Sequence, residues 1–167
     1  MSKDVPWEYE DDNVVLFWGG ILSNWYRSEM TVDGIVYNCV EQHMMVAKAR
    51  EFNDLDSERL IMATAHPRQQ KSLGRKVNNF DPLIWKDCCL ERCLPGVSAK
   101  FHQSPALAGM LLTTQNKKIA EASPYDIVWG IGLSPDNISA RDPKQWQGTN
   151  YLGELLMIVR DELRNTA

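Results

Sequence analysis

Leu152, Leu155, Leu156, Val159 and Leu163 recur at the i, i+3, i+4, i+7, i+11 spacing of a buried helical stripe, and the pattern predicts a helix packed across the core. Earlier in the chain the apolar runs shorten. Val14 to Phe17 reads as a strand, and residues 30–37 set Asp33-Gly34 between two β-rich triplets. That is a two-residue hairpin signal, because a type I′ turn needs positive φ at both central positions. Helical signals follow: Asn38 is placed to cap a helix starting at Cys39. Asp81-Pro82 and Ser104-Pro105 each read as an N-cap followed by proline at the first helical position, and His66-Pro67 repeats the pattern less fully. Four or five helices are expected after the hairpin. Between them, residues 118–122 and 127–131 look extended, and residues 132–148 form a long connection holding two Pro and one Trp, a length usually functional or disordered in a compact domain. The expected architecture is α+β, a single mainly helical domain over residues 13–167 with a small antiparallel sheet that includes the hairpin, after an acidic leader at residues 1–12.

Composition narrows the class. Of 167 residues, 44% are apolar and 24% charged, which fits one water-soluble domain and excludes extended disorder or a coiled coil. No window approaches a membrane span, and the polar, acidic start is unlike a signal peptide, so a cytoplasmic protein without membrane contact is expected. Four cysteines, two of them the adjacent Cys88 and Cys89, are too few for a disulfide scaffold, and reduced thiols are expected. A net charge of -4 argues against gripping long stretches of nucleic-acid backbone but leaves room for a local basic site, with Arg68, Lys71, Arg75 and Lys76 or Lys117 and Lys118 as candidates. Taken alone, each group fits a solvated helix face better. Six Trp outnumber five Tyr and four Phe, an unusual weight of flat indole surface.

The segment Glu41-Gln42-His43-Met44-Met45-Val46-Ala47-Lys48 carries the most chemistry. Seven residues apart on a helix, Glu41 and Lys48 lie within about 20° of one face and roughly 10 Å apart along the axis, so one ligand could touch both. Two plainer readings stand beside this. Asn38-x-x-Glu41 is a capping-box pattern that would return Glu41 to the backbone, and Lys48 could snorkel past Met44 and Met45. Cys89-x-x-x-Cys93 with His102 lacks a second ligand pair of metal spacing, so no metal and no cofactor are expected. His43, His66 and His102 are isolated from any nucleophile motif, and Trp18-Gly19-Gly20 opens no phosphate-binding helix.

Taken in order, Ser23-Asn24-Trp25-Tyr26, Tyr37-x-x-Val40-Glu41-Gln42-His43-Met44-x-x-Ala47-Lys48, Leu73-Gly74-Arg75, Trp85, Ala99-Lys100-Phe101, Trp129-Gly130 and Asn150-x-Leu152-Gly153-x-Leu155-Leu156-Met157-x-Val159-Arg160 resemble the NADAR family of YbiA-like N-glycosidases. The resemblance runs from about Val15 to Leu163. It implies a mostly helical α+β fold and cleavage between ribose and an amine nitrogen. One branch of such proteins hydrolyses early riboflavin-pathway intermediates carrying ribosylamine 5-phosphate; the other removes ADP-ribose from guanine in nucleic acid. The shorter riboflavin-type members join Trp-Gly to Asn-x-Leu-Gly by a brief glycine-rich link, where this chain inserts residues 131–149 with Asp142, Pro143 and Trp146. The insertion makes the sequence resemble the guanine group more closely, with an ADP-ribosylated guanine base or nucleotide as the expected partner.

On that resemblance Glu41 would move protons while Lys48 attacks C1 of the opened ribosylamine to form a Schiff base; the alternative is a water activated by Glu41 or Asp126. Asn24 and Asn150 are candidates for ribose hydroxyls, although Asn150 could simply cap the last helix. Arg75 or Lys100 would hold a phosphate, unless Lys100 is plain surface. Trp85, Trp129 with Gly130, and Trp146 are candidate platforms for a base, core packing being the plain alternative for Trp85. A non-catalytic ADP-ribose reader would need the stacking and phosphate groups but not the Glu and Lys pair.

Overall fold

The computed structural model describes residues 5–166. In chain order its elements are β1 (Tyr9–Glu10), β2 (Val14–Phe17), β3 (Met30–Val32), β4 (Ile35–Tyr37), α1 (Val40–Glu51), α2 (Leu55–Met62), α3 (Pro67–Gly74), α4 (Pro82–His102), α5 (Pro105–Leu112), β5 (Lys118–Glu121) and α6 (Tyr151–Thr166). Short 3-10 turns lie at Gly20–Leu22, Ile138–Arg141 and Pro143–Gln145. The fold is α+β. Among the described residues six helices follow the hairpin rather than four or five, the addition being α2, where Asp54 caps the helix by accepting from the Ser57 amide at 3.1 Å. The chain divides into two compact units, one made of the residues up to Tyr26 with those from Ser104 onward, the other of Arg27–Gln103.

In the first unit the strand order is β1-β2-β5. β1, which falls within the stretch read as a leader, runs antiparallel to β2, but β5 runs parallel to it, with Val14 opposite Lys118 and Phe17 opposite Glu121. This sheet is therefore mixed, while the antiparallel pair expected at the hairpin is β3 with β4, a separate two-stranded sheet. All four residues of β2 are buried, the unbroken apolar run of a strand covered on both faces. Val14, Leu16, Ala120 and Ala122 pack with Ile131, Leu133 and Ala140, and Tyr9 and Trp146 lie against this core. The stripe Leu152, Leu155, Leu156, Val159 and Leu163 is buried on α6 as its spacing requires.

Residues 127–130 are a series of bends, so the strand expected over 127–131 is absent. Asp126 Oδ1 accepts from the amides of Val128 at 2.9 Å and Trp129 at 2.8 Å, which curls the backbone. The carbonyls of Val128 and Trp129 then accept from Tyr151 and Leu152, satisfying amides that open α6. The 132–148 connection is folded onto the sheet. It carries two 3-10 turns, its Gln147 amide bonds Ile131 O at 2.9 Å, and Trp146 Nε1 donates to Ala140 O at 2.8 Å.

In the second unit Asp33 (φ 50) and Gly34 (φ 79) both take the left-handed region, so the β3–β4 hairpin has the turn its sequence demands. Asp81 and His66 cap the helices their Pro neighbours begin, and Ser104 does the same for α5 in the first unit. Helix α1 packs against α2, α3 and α4 and has nine of its twelve residues buried. A Cβ at Gly74 would overlap Met45, so glycine in Leu73-Gly74-Arg75 lets α3 lie directly on α1. Among the described residues no helix is long and apolar enough to cross a membrane.

Candidate active site

The start of α1 decides the role of Glu41. The N-cap is Cys39, one residue later than the sequence suggests, and its side chain makes no capping bond. The residue that reaches back is Gln42, whose Oε1 accepts from the Asn38 amide at 2.8 Å while its Nε2 donates to Ile61 O at 3.2 Å. The capping-box reading of Glu41 is thus corrected: a helix that begins one residue later gives the bracing task to Gln42. Glu41 is 5% exposed and Lys48 is 9% exposed, so a central helix buries a carboxylate and an amine together. Such groups are retained only where they interact.

Burial lowers the pKa of Lys48, Glu41 raises it, and Arg75 lowers it again. Lys48 Nζ sits 4.0 Å from the centre of the Phe80 ring, and Phe80 stands edge-on to Phe52 at 5.3 Å. The buried amine lies against the Phe80 ring, which is itself 39% exposed. Desolvation favours the neutral, nucleophilic amine. Sequence reading missed Phe80; Asn79-Phe80-Asp81-Pro82 reads only as a helix start, and no local signal ties its ring to Lys48.

The same unit holds Arg75, Trp85 and Lys100. Arg75, the C-cap of α3, is exposed yet close enough to act on Lys48, so an anionic group beside Lys48 would have a guanidinium within reach. Trp85 is half-buried on the first turn of α4. Lys100 is only 1% exposed, neither plain surface nor an open phosphate ligand. It falls on the buried stripe of α4 with Cys93, Gly96 and Val97, and burial pulls its pKa down to about 7 against an opposing pull from Cys39. Cys39 Sγ donates to Gln70 Oε1 at 3.2 Å.

The other unit holds the remaining candidates. Asn24 is 7% exposed just after the first 3-10 turn. Asp126 is half-buried, with Oδ1 occupied by the two amides described above, and Trp129 is half-buried with its ring edge-on to Tyr151 at 5.9 Å. At Gly130 a Cβ would stand 2.9 Å from both Asp126 O and Glu121 O, so the turn closes only around glycine. Trp146 is a half-buried part of the sheet's core with its Nε1 engaged. Asn150, 1% exposed at φ 53, accepts from Glu121 N at 3.1 Å and donates to Ile119 O at 2.9 Å. Its side chain is a clamp on β5.

His43, one helical turn before Ala47, is a packing residue. It is 6% exposed, edge-on to Tyr37 at 5.1 Å, and its Nδ1 has no hydrogen-bond partner. Burial, helped by Arg50, lowers its pKa to about 4, with Asp33 opposing. An unfolded chain binds this proton near pH 6.5, so as pH falls from 6.5 to 4 the unfolded state gains protons that the folded state refuses. Stability should drop by about 3 kcal/mol by pH 4 from this group. Denaturant unfolding across that window should show the slope in the native chain and a flatter line in His43→Phe; equal slopes would assign it elsewhere.

Residues 16–164 match the NADAR domain. The chain is 41% identical over 126 residues to an N-glycosidase of Acanthamoeba polyphaga mimivirus, an alignment covering 75% of this chain and 74% of that protein. It is 29% identical over 148 residues to a riboflavin biosynthesis protein of Vibrio vulnificus, covering 89% of this chain but 36% of that one. Among solved structures, the NMR structure of the E. coli protein YbiA has the same fold, with a TM-score of 0.77 over 98% of this chain and 91% of that chain at 24% identity.

Proposed function

The chain belongs to the NADAR family, and from that premise we propose that it is an N-glycosidase that removes ADP-ribose from guanine modified on an amine nitrogen. The observation that carries the reading is the joint burial of Glu41 and Lys48 on α1, the carboxylate acting on the amine. The name N-glycosidase of the mimiviral relative supports the bond type. In the step proposed, the ribose ring opens to an imine, and neutral Lys48 adds to C1. Glu41 gives a proton to the guanine nitrogen, whose departure leaves C1 joined to Lys48 as an iminium. Water adds to C1, Glu41 takes its proton, and collapse of the carbinolamine frees ADP-ribose and the Lys48 amine. One water is consumed and one amine released. Arg75 is available to an anionic part of the substrate.

What favours the guanine conjugate is the 131–149 connection, which the shorter riboflavin-type sequences of this resemblance lack and which here is built into the sheet's core through Ile131, Leu133, Ala140 and Trp146. The riboflavin biosynthesis name of the Vibrio relative favours a second reading, a ribosylamine phosphate substrate. The test is direct competition. Incubated with guanine-ADP-ribosylated oligonucleotide and with the riboflavin-pathway ribosylamine phosphate, the protein should release sugar from the first at least about tenfold faster at equal concentration, a difference of about 1.4 kcal/mol in transition-state binding. The reverse preference would install the second reading, and turnover of neither would remove both.

A further inference from the structure

We propose that Phe80 is a catalytic residue of this site, its ring face stabilising the positive charge that Lys48 Nζ carries while it is joined to the sugar carbon C1. The inference rests on the reading of Lys48 as the nucleophile. Nζ lies over the ring face, 4.0 Å from its centre. A positive nitrogen so placed is attracted by the electron-rich face, and the attraction grows where water is excluded, as around a lysine that is 9% exposed. The neutral amine gains little from the same contact.

Three features fix the ring in that position. Phe52 stands one helical turn after Lys48 and meets Phe80 edge-on at 5.3 Å, with planes 74° apart. On the near side of the ring, Asp54 at the start of α2 accepts from the Asn78 amide at 2.8 Å, and Asn79 turns the chain at a left-handed φ of 59. On the far side Asp81 is locked as the N-cap of α4, accepting from the amides of Leu83 at 2.8 Å and Ile84 at 3.3 Å. Covering the amine needs only bulk. Anchors on both sides of one residue also set which way its ring faces.

The reaction gives that orientation its use. Once the guanine nitrogen has left with its proton, C1 is bonded to Nζ as an iminium, and water attacks C1 readily only while the nitrogen stays positive. Burial and Arg75 disfavour positive charge at Nζ, and Glu41 favours it. Glu41 gives and takes a proton during the cycle, so its charge changes. The ring exchanges no proton and favours the cation throughout. Charged groups on the other helices packed against α1 are engaged nearby: Asp54 with Ser57 and Asn78, Glu58 with Arg50, Asp81 with the α4 amides, and Arg92 with Glu51.

The experiment replaces Phe80 in the full chain by mono-, di- and trifluorophenylalanine, which draw electrons from the ring face in steps at nearly constant shape, and adds Phe80→Leu, which keeps bulk but has no such face. Phe80→Ala also admits water, which acts in the opposite direction, and so does not isolate the face. Two rates are read. One is release of ADP-ribose from the guanine conjugate. The other is trapping of glycolaldehyde at Lys48, located by peptide mass: Nζ adds to the aldehyde carbon, water leaves, and hydride from cyanoborohydride fixes the iminium as a secondary amine. Where the amine is neutral, both rates should fall stepwise to about a tenth with three fluorines, and about as far in Phe80→Leu. The pH limb of trapping should move to lower pH along the series, because the ammonium also loses the ring, and the melting temperature should stay level. Rates that ignore fluorination, a limb that moves upward, or native rates in Phe80→Leu would each overturn the role of the ring; if sugar release and trapping at Lys48 persist in that case, the functional reading stands. A falling trapping series with no sugar released from any substrate removes the functional reading and leaves the action of Phe80 on Lys48.

Discussion

Lys48→Ala is expected to lower N-glycosidase turnover about a thousandfold or more, because it removes the group that would bond C1 and not merely a charge beside it. The amine is 9% exposed and 4.0 Å from the Phe80 ring centre, its proton loosened by burial and by Arg75 and tightened by Glu41. Lys48→Arg separates the possibilities. It keeps a cation against Phe80 but cannot form an iminium, so it should be as inactive as alanine. Borohydride added during turnover should link the sugar to the native chain at Lys48 and leave both variants unlabelled. Glu41→Gln should lower turnover by about 10² to 10⁴ while still allowing a slow adduct, since proton transfer and not bond formation is impaired. An arginine variant of near-native activity, or native turnover with no trapped adduct, would instead give the chemistry to an activated water.

The direction of the Lys48 shift has a kinetic consequence as well. A depressed pKa places the neutral amine at lower pH than for an exposed lysine, near pH 10.4. Activity should rise with pH along a limb that begins below the ordinary lysine range, and Phe80→Ala, which exposes the amine to water, should move that limb upward.

The spacing of Glu41 and Lys48 was legible because helical geometry is local: seven residues put both on one face wherever the helix lies. The hairpin and the Pro-marked caps were legible for the same reason, since Asp33-Gly34 and Asp81-Pro82 each need only their neighbours. Position along the sequence misled where a start shifted by one residue, as at Asn38, because a capping bond depends on register and Gln42 competes with Glu41 for it. What stayed hidden depends on distant chain. Lys100 looks like surface until α4 turns its Cys93 and Val97 stripe inward. Phe80 is 32 residues from the amine it covers, and the parallel pairing of β2 with β5 joins segments about a hundred residues apart.

Asn150 is where family likeness and geometry suggest different measurements. Asn150→Ala is expected to destabilise the chain by about 2 to 4 kcal/mol, lowering the melting temperature by about 10 °C. It strips the partners from Glu121 N and Ile119 O, and it forces a Cβ-bearing residue with no local hydrogen bond into φ 53. Gly153→Ala should cost about 3 kcal/mol by driving a methyl onto the Ile119 carbonyl that Asn150 also holds. Because both changes act through that one carbonyl, the double variant should lose less than the sum. The variants that remain folded should keep the native KM, since the Asn150 amide is spent on β5. Unchanged melting with a raised KM in Asn150→Ala would mean that Asn150 holds the ribose after all. Asn150→Asp sharpens the comparison: it keeps the acceptor for Glu121 N but sets a carboxylate oxygen against Ile119 O, so it should destabilise strongly, whereas a solvent-facing ribose ligand would accept the same change with little effect on melting.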